Sequence, residues 1–221
     1  MSTRFDGFAD RADAGRVLAR RLRALEDDDV VVLGLPRGGV PVAAKVAAAL
    51  DAPLDVWVVR KLGVPGHEEL AMGAIAAGGG VVLDFPFARQ LGLTRHDIEE
   101  VARRELTELR RREASYRRGR GEPDIEGKTA LVVDDGLATG STMQAAVRTL
   151  RQHDPERIVV AVPVGSRQAC AVIGAEVDEL ICLQQPEPFV AVGYWYADFS
   201  PTTDGEVQRL LGFDPEASVE S

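Results

Sequence analysis

The stretch Ala130-Leu-Val-Val-Asp-Asp-Gly-Leu-Ala-Thr-Gly-Ser-Thr142 decides the fold. Its apolar first half predicts a β-strand that ends in Asp134 and Asp135, and its Gly- and hydroxyl-rich second half leads into a predicted helix. Such a strand–turn–helix unit directs backbone N–H groups, side-chain hydroxyls and a helix N-terminus toward one concavity. The stretch therefore predicts a phosphate cradle in an α/β fold.

The two adjacent carboxylates indicate what the phosphate is attached to. Carboxylates repel phosphate, but they accept hydrogen bonds from the hydroxyls of a sugar that carries the phosphate. The segment is not a Walker A loop, because it lacks the lysine and the distance from Gly136 to Gly140 is too short. An alternative without a ligand is an aspartate at the end of the strand that caps the next helix.

The rest of the chain predicts a doubly wound parallel sheet. Short β-branched apolar runs, typical of parallel strands covered on both faces, alternate with helical periods. The predicted strands are residues 30–34, 54–59, 129–133, 157–162 and 179–183, and the predicted helices are residues 11–25, 40–50, 98–116, 142–152 and 166–173.

Two segments do not fit this alternation. Residues 61–128, which contain a Gly-rich turn at 78–80, are too long for a βα connection and predict a flap followed by a charged helix. Residues 184–203 carry five aromatic side chains and predict a small cover, or hood, over a site. We expect one domain over residues 1–221 that includes both.

The composition limits the function classes. The 221 residues are 45% hydrophobic, enough for a single core, and carry a net charge of −9, which argues against nucleic acid and anionic membranes as partners. The two cysteines, Cys170 and Cys182, lie in apolar runs, as expected of buried thiols in a reducing compartment. We expect a cytoplasmic protein without a membrane span.

The stretch from Ala130 to Thr142 resembles the phosphoribosyl-pyrophosphate signature of type I phosphoribosyltransferases. Gly136 departs from that signature, where an aliphatic residue is usual. The resemblance implies that Asp134 and Asp135 hold the ribose hydroxyls as catalytic residues. It also implies that the next loop binds the 5-phosphate, through Ala138, Thr139, Gly140, Ser141 and Thr142.

A second segment, Leu33-Gly-Leu-Pro-Arg-Gly-Gly-Val-Pro41, resembles the pyrophosphate loop of this family. Gly38 and Gly39 allow close approach of the backbone, and Arg37 offers a fork of donors to phosphate oxygens. The resemblance suggests a non-proline cis peptide here. Taken alone, the Arg-Gly-Gly sequence favours a surface turn.

A third segment, residues 59–74, resembles a bacterial branch of the family whose acceptor is not established. Lys61 stands at the end of the second predicted strand, and the resemblance implies a catalytic flap there. We expect Lys61 and Arg60 to meet the leaving pyrophosphate; a solvated charge is the alternative for Arg60. His67 is either a proton carrier or simply exposed.

The aromatic segment Phe189-Val-Ala-Val-Gly-Tyr-Trp-Tyr-Ala-Asp-Phe199 resembles the hood of purine phosphoribosyltransferases. The resemblance implies that Phe189 and Trp195 contact the acceptor base and that Asp198 lies near the metal, through water. Core packing is the alternative for the aromatic rings. Ala138 matches adenine enzymes and the hood matches hypoxanthine enzymes, so the acceptor stays open.

Together these resemblances imply an enzyme that uses Mg²⁺ to move the phosphoribosyl group from phosphoribosyl pyrophosphate to a small nitrogenous acceptor, with a nucleobase and purines favoured. The alternative is a regulator that binds phosphoribosyl pyrophosphate without catalysis. A homodimer is compatible with either function.

Overall fold

The computed structural model describes residues 7–26, 28–76 and 80–213. Its centre is a five-stranded, all-parallel sheet with the strand order β2-β1-β6-β7-β8. These strands are β1 Val30–Gly34, β2 Leu54–Val56, β6 Thr129–Val133, β7 Arg157–Val164 and β8 Glu179–Gln184.

Helices cover both faces of this sheet, so the predicted doubly wound architecture is confirmed. Two pack on one face, α1 Arg11–Arg21 and α2 Gly39–Leu50. Two pack on the other face, α5 Ser141–Leu150 and α6 Arg167–Gly174. Every residue of β1 and β6 is buried, which explains why those runs carry no polar alternation.

The alternation of side chains along the strands divides the core into two layers. Val30, Val32 and Leu131 face α1 and α2, whereas Val31 and Val132 face α5 and α6. Because successive strand residues point to opposite faces, a single apolar run fills both layers. The carboxyl ends of β1 and β6 then meet at one edge, where ligands bind in open α/β sheets.

The long excursion forms a second, antiparallel sheet with the order β3-β4-β5. Its strands are β3 Val59–Val64, β4 His67–Ala76 and β5 Val81–Leu83, and two helices follow, α3 Phe85–Gln90 and α4 Arg95–Arg117. A capping box between Thr94 and Asp97 starts α4 three residues before the predicted start. Residues 78 and 79 of the predicted Gly-rich turn lie outside the described residues.

The predicted strand at 54–59 is wrong in its second half. Parallel pairing stops at Val56, and Val59 already begins the flap sheet. Between them Trp57 is fully buried, and its indole Nε1 donates to the Thr149 hydroxyl at 3.1 Å, which fixes the change of direction. Lys61 therefore lies inside a flap strand and not at the end of a core strand.

The other predicted elements occur close to their predicted bounds. The first predicted helix ends at Arg21 and continues as a 3-10 turn, Arg23–Leu25. A short helix that the sequence did not predict, α7 Asp204–Leu210, packs with α4 and the flap sheet through a shared apolar cluster. Within the described ranges, no helix is both long and apolar enough to cross a bilayer.

Candidate active site

The loop between β6 and α5 forms a concave cradle. Its cavity of about 160 Å³ is lined by Asp134, by residues 136–143 and by Val192 of the hood. Gly140 adopts a left-handed conformation, φ 78°, that turns the chain into α5. The backbone of Leu137 bonds on both sides to the strand end of β7, donating to Val164 at 2.9 Å and accepting from Ser166 at 2.8 Å. The cradle is therefore held in shape by the sheet.

The helix-capping alternative for the acidic pair does not hold. Gly140 is the N-cap of α5, and the N–H of the first helical residue, Ser141, donates to the Thr139 hydroxyl at 3.5 Å and not to an aspartate. Instead, the Asp134 Oδ1 accepts from the Asp135 backbone N–H at 2.8 Å. The N-terminus of α5 and the hydroxyls of Thr139 and Ser141 belong to this loop, and the two hydroxyl oxygens lie 3.2 Å apart. Such a group of donors suits an anion.

The two carboxylates are partly buried at the end of β6. Burial raises the pKa of Asp134 well above its ordinary value, and the neighbouring Asp135 charge adds to the rise. Burial also raises the pKa of Asp135, while a hydrogen bond from Arg11 opposes it. Groups whose pKa is strongly shifted by burial and by a neighbouring charge are frequently found at functional sites.

The segment from Leu35 to Gly39 lies directly against this pair. A Cβ atom on Gly38 would collide with the Asp135 carboxylate, and one on Gly39 would lie 2.6 Å from the Val133 carbonyl oxygen. The peptide bond between Pro36 and Arg37 is cis. The glycines therefore let the predicted pyrophosphate loop reach the acidic pair, a packing reason in addition to ligand approach.

The flap sheet contributes a cation to the cradle. Lys61 Nζ lies 3.4 Å from the Ser141 Oγ, at the start of α5. Arg60, its neighbour, belongs to the other face of the strand and forms an ion pair with Glu105 of α4 at 2.6 Å. The structure thus brings Lys61 to the cradle and pairs Arg60 with α4; a contact of Arg60 with pyrophosphate stays a prediction.

Arg37 extends from its loop toward α7. Its Nη1 lies 4.0 Å from Asp204 Oδ1, and both side chains are half exposed. The Tyr116 hydroxyl also donates to Asp204 at 2.7 Å. An exposed pair of this kind is weak, so the guanidinium can exchange Asp204 for a more highly charged anion.

The hood folds back onto the start of the chain. Phe8 pairs with Tyr196 as an isolated bridge, and the rings of the two residues are 5.6 Å apart. Phe189 and Trp195 are half-buried against the same cluster, whereas Tyr194 is 64% exposed. For Phe189 and Trp195, these contacts favour the packing alternative over contact with an acceptor base.

Asp198 lies on the outer part of the hood. Its Oδ1 accepts from the Ser200 N–H at 2.9 Å and from the Ser200 hydroxyl at 2.5 Å, which lowers its pKa. Among the residues that the structure describes, no group of three or more His, Cys, Asp or Glu side chains is placed to hold a metal ion. A metal that keeps its waters and substrate oxygens fits this arrangement better than one caged by protein.

Comparison with known proteins identifies the family. Residues 9–197 match the profile described as "Phosphoribosyl transferase domain". The chain belongs to the phosphoribosyl transferase family. A candidate phosphoribosyl transferase of Mycobacterium tuberculosis is 49% identical over 204 residues, which cover 92% of this chain and 46% of that protein. The chain thus spans less than half the length of these curated relatives.

One solved structure shares this fold closely, and a further curated protein is similar in sequence. The crystal structure of TT1426 from Thermus thermophilus superposes with a TM-score of 0.84 at 44% identity, over 93% of this chain and 97% of that one. The Bifunctional protein PyrR of Clostridium novyi is 28% identical over 138 residues, 62% of this chain and 58% of that protein. The resemblance carried by residues 130–142 is therefore confirmed at the level of the family.

Two residues of this phosphoribosyl transferase site were not expected from the sequence. Arg11, the first residue of α1, donates from Nε to Asp135 Oδ2 at 2.8 Å. The Tyr196 hydroxyl donates to the Asp135 carbonyl at 2.7 Å. Both lie far from Asp135 in the chain, so no local motif could have pointed to them.

Proposed function

We propose that the chain transfers the 5-phosphoribosyl group from phosphoribosyl pyrophosphate to a nitrogen atom of a small acceptor, releasing pyrophosphate. The observation that carries the proposal is the contact between the acidic pair at the end of β6, the phosphate cradle and the glycines of the Arg37 loop. One substrate supplies a partner for each part: its ribose hydroxyls for the acidic pair, its 5-phosphate for the cradle and its pyrophosphate for the Arg37 loop.

The reaction breaks the bond between C1 of the ribose and a pyrophosphate oxygen and forms a bond between C1 and the acceptor nitrogen, which loses a proton. The ribose carbon becomes cationic as the leaving group departs. Asp134 and Asp135 accept hydrogen bonds from the ribose hydroxyls, and their negative charge favours the cationic transition state over the neutral substrate. Their burial strengthens that effect.

The other parts of the site hold the two anionic ends. The N-terminus of α5, the hydroxyls of the cradle and Lys61 bind the 5-phosphate. Arg37 and the backbone of Gly38 and Gly39 meet the pyrophosphate. Substrate oxygens and, through water, the Asp198 carboxylate would hold Mg²⁺, which would supply positive charge to the leaving pyrophosphate.

A purine is the acceptor we favour. The grounds are the alanine at position 138 in the cradle, which resembles adenine enzymes, and an aromatic hood, which resembles hypoxanthine enzymes. Tyr194 offers the most exposed ring of that hood, and stacking a base on such a ring is worth ~1–3 kcal/mol.

The decisive experiment is a pyrophosphate-release assay with protein, Mg²⁺, phosphoribosyl pyrophosphate and a panel of purines, pyrimidines and other nitrogen bases. We expect saturable release with at least one purine, and its loss in Asp134→Asn. Binding of phosphoribosyl pyrophosphate without turnover on any acceptor would replace the transferase by a regulator. Absence of binding would reject both.

A further inference from the structure

Arg11 occupies a place that helix stability does not explain. It is the first residue of α1, which follows the N-cap Asp10. The positive end of a helix dipole disfavours a cation in the first turn. Nevertheless its side chain is only 12% exposed, so a tertiary role must account for its burial.

The guanidinium joins three parts of the molecule. Its Nε donates to Asp135 Oδ2 at 2.8 Å, and its Nη1 donates to the Ser200 carbonyl at 2.8 Å. Its central carbon lies 3.9 Å from the centre of the Phe199 ring, within the range of a cation–π contact. Helix α1, the end of β6 and the hood therefore meet at this one side chain.

The hood also contacts the same aspartate directly. Tyr196, which is buried, donates its hydroxyl to the Asp135 carbonyl, so the backbone and the carboxylate of Asp135 are both fixed by residues outside its own loop. The Phe8–Tyr196 bridge ties this hood segment to the residues just before α1. The orientation of Asp135 thus depends on α1 and the hood together.

We propose that Arg11 is a positioning residue of the transferase: it fixes the Asp135 carboxylate toward the ribose and locks residues 196–200 of the hood beside it. The inference rests on the proposed function. A lysine can carry the charge but cannot supply two donors in the same fork, so it keeps one of the two hydrogen bonds.

The test is a double-mutant cycle on binding and turnover. In the otherwise unaltered chain, Arg11→Met should weaken binding of phosphoribosyl pyrophosphate at least tenfold in calorimetry and lower kcat at least tenfold, and Arg11→Lys should fall between it and the parent. In the Asp135→Asn background, Arg11→Met should cost clearly less than it costs in the parent, because one of its targets is already altered while its contacts with Phe199 and Ser200 remain. Arg16→Met, on the exposed side of the same helix, should behave as the parent.

Three outcomes overturn the proposal and can be told apart. If the parent protein binds phosphoribosyl pyrophosphate and Arg11→Met binds it equally and turns over equally, Arg11 has no positioning role. If the losses from Arg11→Met and Asp135→Asn multiply, Arg11 does not act through Asp135. If the parent itself binds no phosphoribosyl pyrophosphate, the proposed function fails, and the positioning role fails with it.

Discussion

Two roles are open for the cation of Lys61. It binds either the 5-phosphate, whose charge stays constant during transfer, or the leaving pyrophosphate, whose negative charge increases. Its Nζ lies 3.4 Å from Ser141 Oγ, beside the 5-phosphate cradle. The charge of that phosphate does not change during transfer, so a cation there binds substrate and transition state alike. We therefore expect Lys61→Ala to weaken binding of phosphoribosyl pyrophosphate about tenfold with kcat nearly unchanged.

Lys128→Ala is the matched control, because Lys128 pairs with the exposed Asp124 four residues away and such pairs contribute little. Calorimetry and steady-state kinetics on both variants separate the two roles of Lys61. A fall in kcat of about 10²-fold with binding intact would instead assign Lys61 to the leaving pyrophosphate.

Phe189 separates packing from recognition of the acceptor. Its ring is half-buried in the cluster that contains Phe8, Val164 and Tyr196. Truncating a ring in such a cluster leaves a cavity, so Phe189→Ala should lower the free energy of unfolding by about 1–3 kcal/mol, below the cost for a fully buried ring. Urea denaturation measures this, and the KM for the acceptor should stay within twofold of the parent.

Tyr194→Ala is the counterpart, because that side chain is 64% exposed. It should leave stability unchanged and, if the ring stacks on the base, raise the acceptor KM at least fivefold. The reverse pattern would be a raised acceptor KM for Phe189→Ala and an unchanged acceptor KM for Tyr194→Ala. It would show that Phe189 contacts the acceptor.

At the scale of elements, the contact between the Arg37 loop and the end of β6 depends on two glycines. A methyl group on Gly39 would press on the backbone of β6, 2.6 Å from the Val133 carbonyl oxygen, whereas one on Gly38 would press on the Asp135 side chain. Backbone cannot yield as a side chain can. We expect Gly39→Ala to lower Tm by several degrees and Gly38→Ala to abolish most activity at a smaller cost in Tm.

Gly121→Ala serves as the control, because nothing lies within 4 Å of its added methyl group. Thermal unfolding and the pyrophosphate assay on the three variants give the comparison. Full activity in Gly38→Ala would mean that Asp135 can move without consequence, contrary to its assigned role.

The elements also show how far sequence reasoning reaches. Strands β1 and β6 were predicted to the residue, because an uninterrupted apolar run covered on both faces has few other structures available. The strands of the flap sheet were not predicted individually, because glycines and charged residues interrupt their apolar runs. For the same reason, residues 54–59 were predicted as one strand. The change of direction there depends on a bond between Trp57 and Thr149, which the local pattern cannot reveal.

The same reasoning applies to the site. The acidic pair and the cradle are contiguous in the chain, so their chemistry could be predicted from residues 130–142 alone. Arg11 is 124 residues from Asp135, and Tyr196 is 61 residues from it, so only the fold brings them together. The ion pair of Arg60 with Glu105 could not be predicted either, because it depends on where α4 crosses the flap.

At the scale of the whole molecule, the site works against the overall charge. The chain carries −9, yet it is proposed to bind a polyanion beside two partly buried carboxylates. Around the site Arg11, Arg37 and Lys61 supply local positive charge. Arg11 is already engaged with Asp135, so the acidic pair is only partly compensated in the native state. The unfavourable free energy of keeping these two carboxylates charged therefore lowers the stability of the native state.

Asp134→Asn should therefore make the protein more stable and far less active. Burial raises the pKa of Asp134 above its ordinary value, so the native state favours the protonated carboxyl more than the unfolded chain does. At a pH below the unfolded pKa of about 3.9 the group is neutral in both states and costs nothing. As the pH rises toward the raised native pKa, the unfolded state ionises first and the parent protein loses stability. Asparagine does not titrate, keeps the oxygen that accepts from the Asp135 N–H, and escapes this loss.

We expect the Tm of Asp134→Asn to exceed that of the parent by several degrees at pH 8, with the difference shrinking steadily toward pH 4, while transfer falls by about 10²-fold or more. Asp124→Asn, at a carboxylate that is 78% exposed, should change neither property. Scanning calorimetry across this pH range with parallel pyrophosphate assays makes the comparison. A variant that is less stable at pH 8 would show that the negative charge of Asp134 holds the native fold together, and full activity would show that transfer does not need that charge.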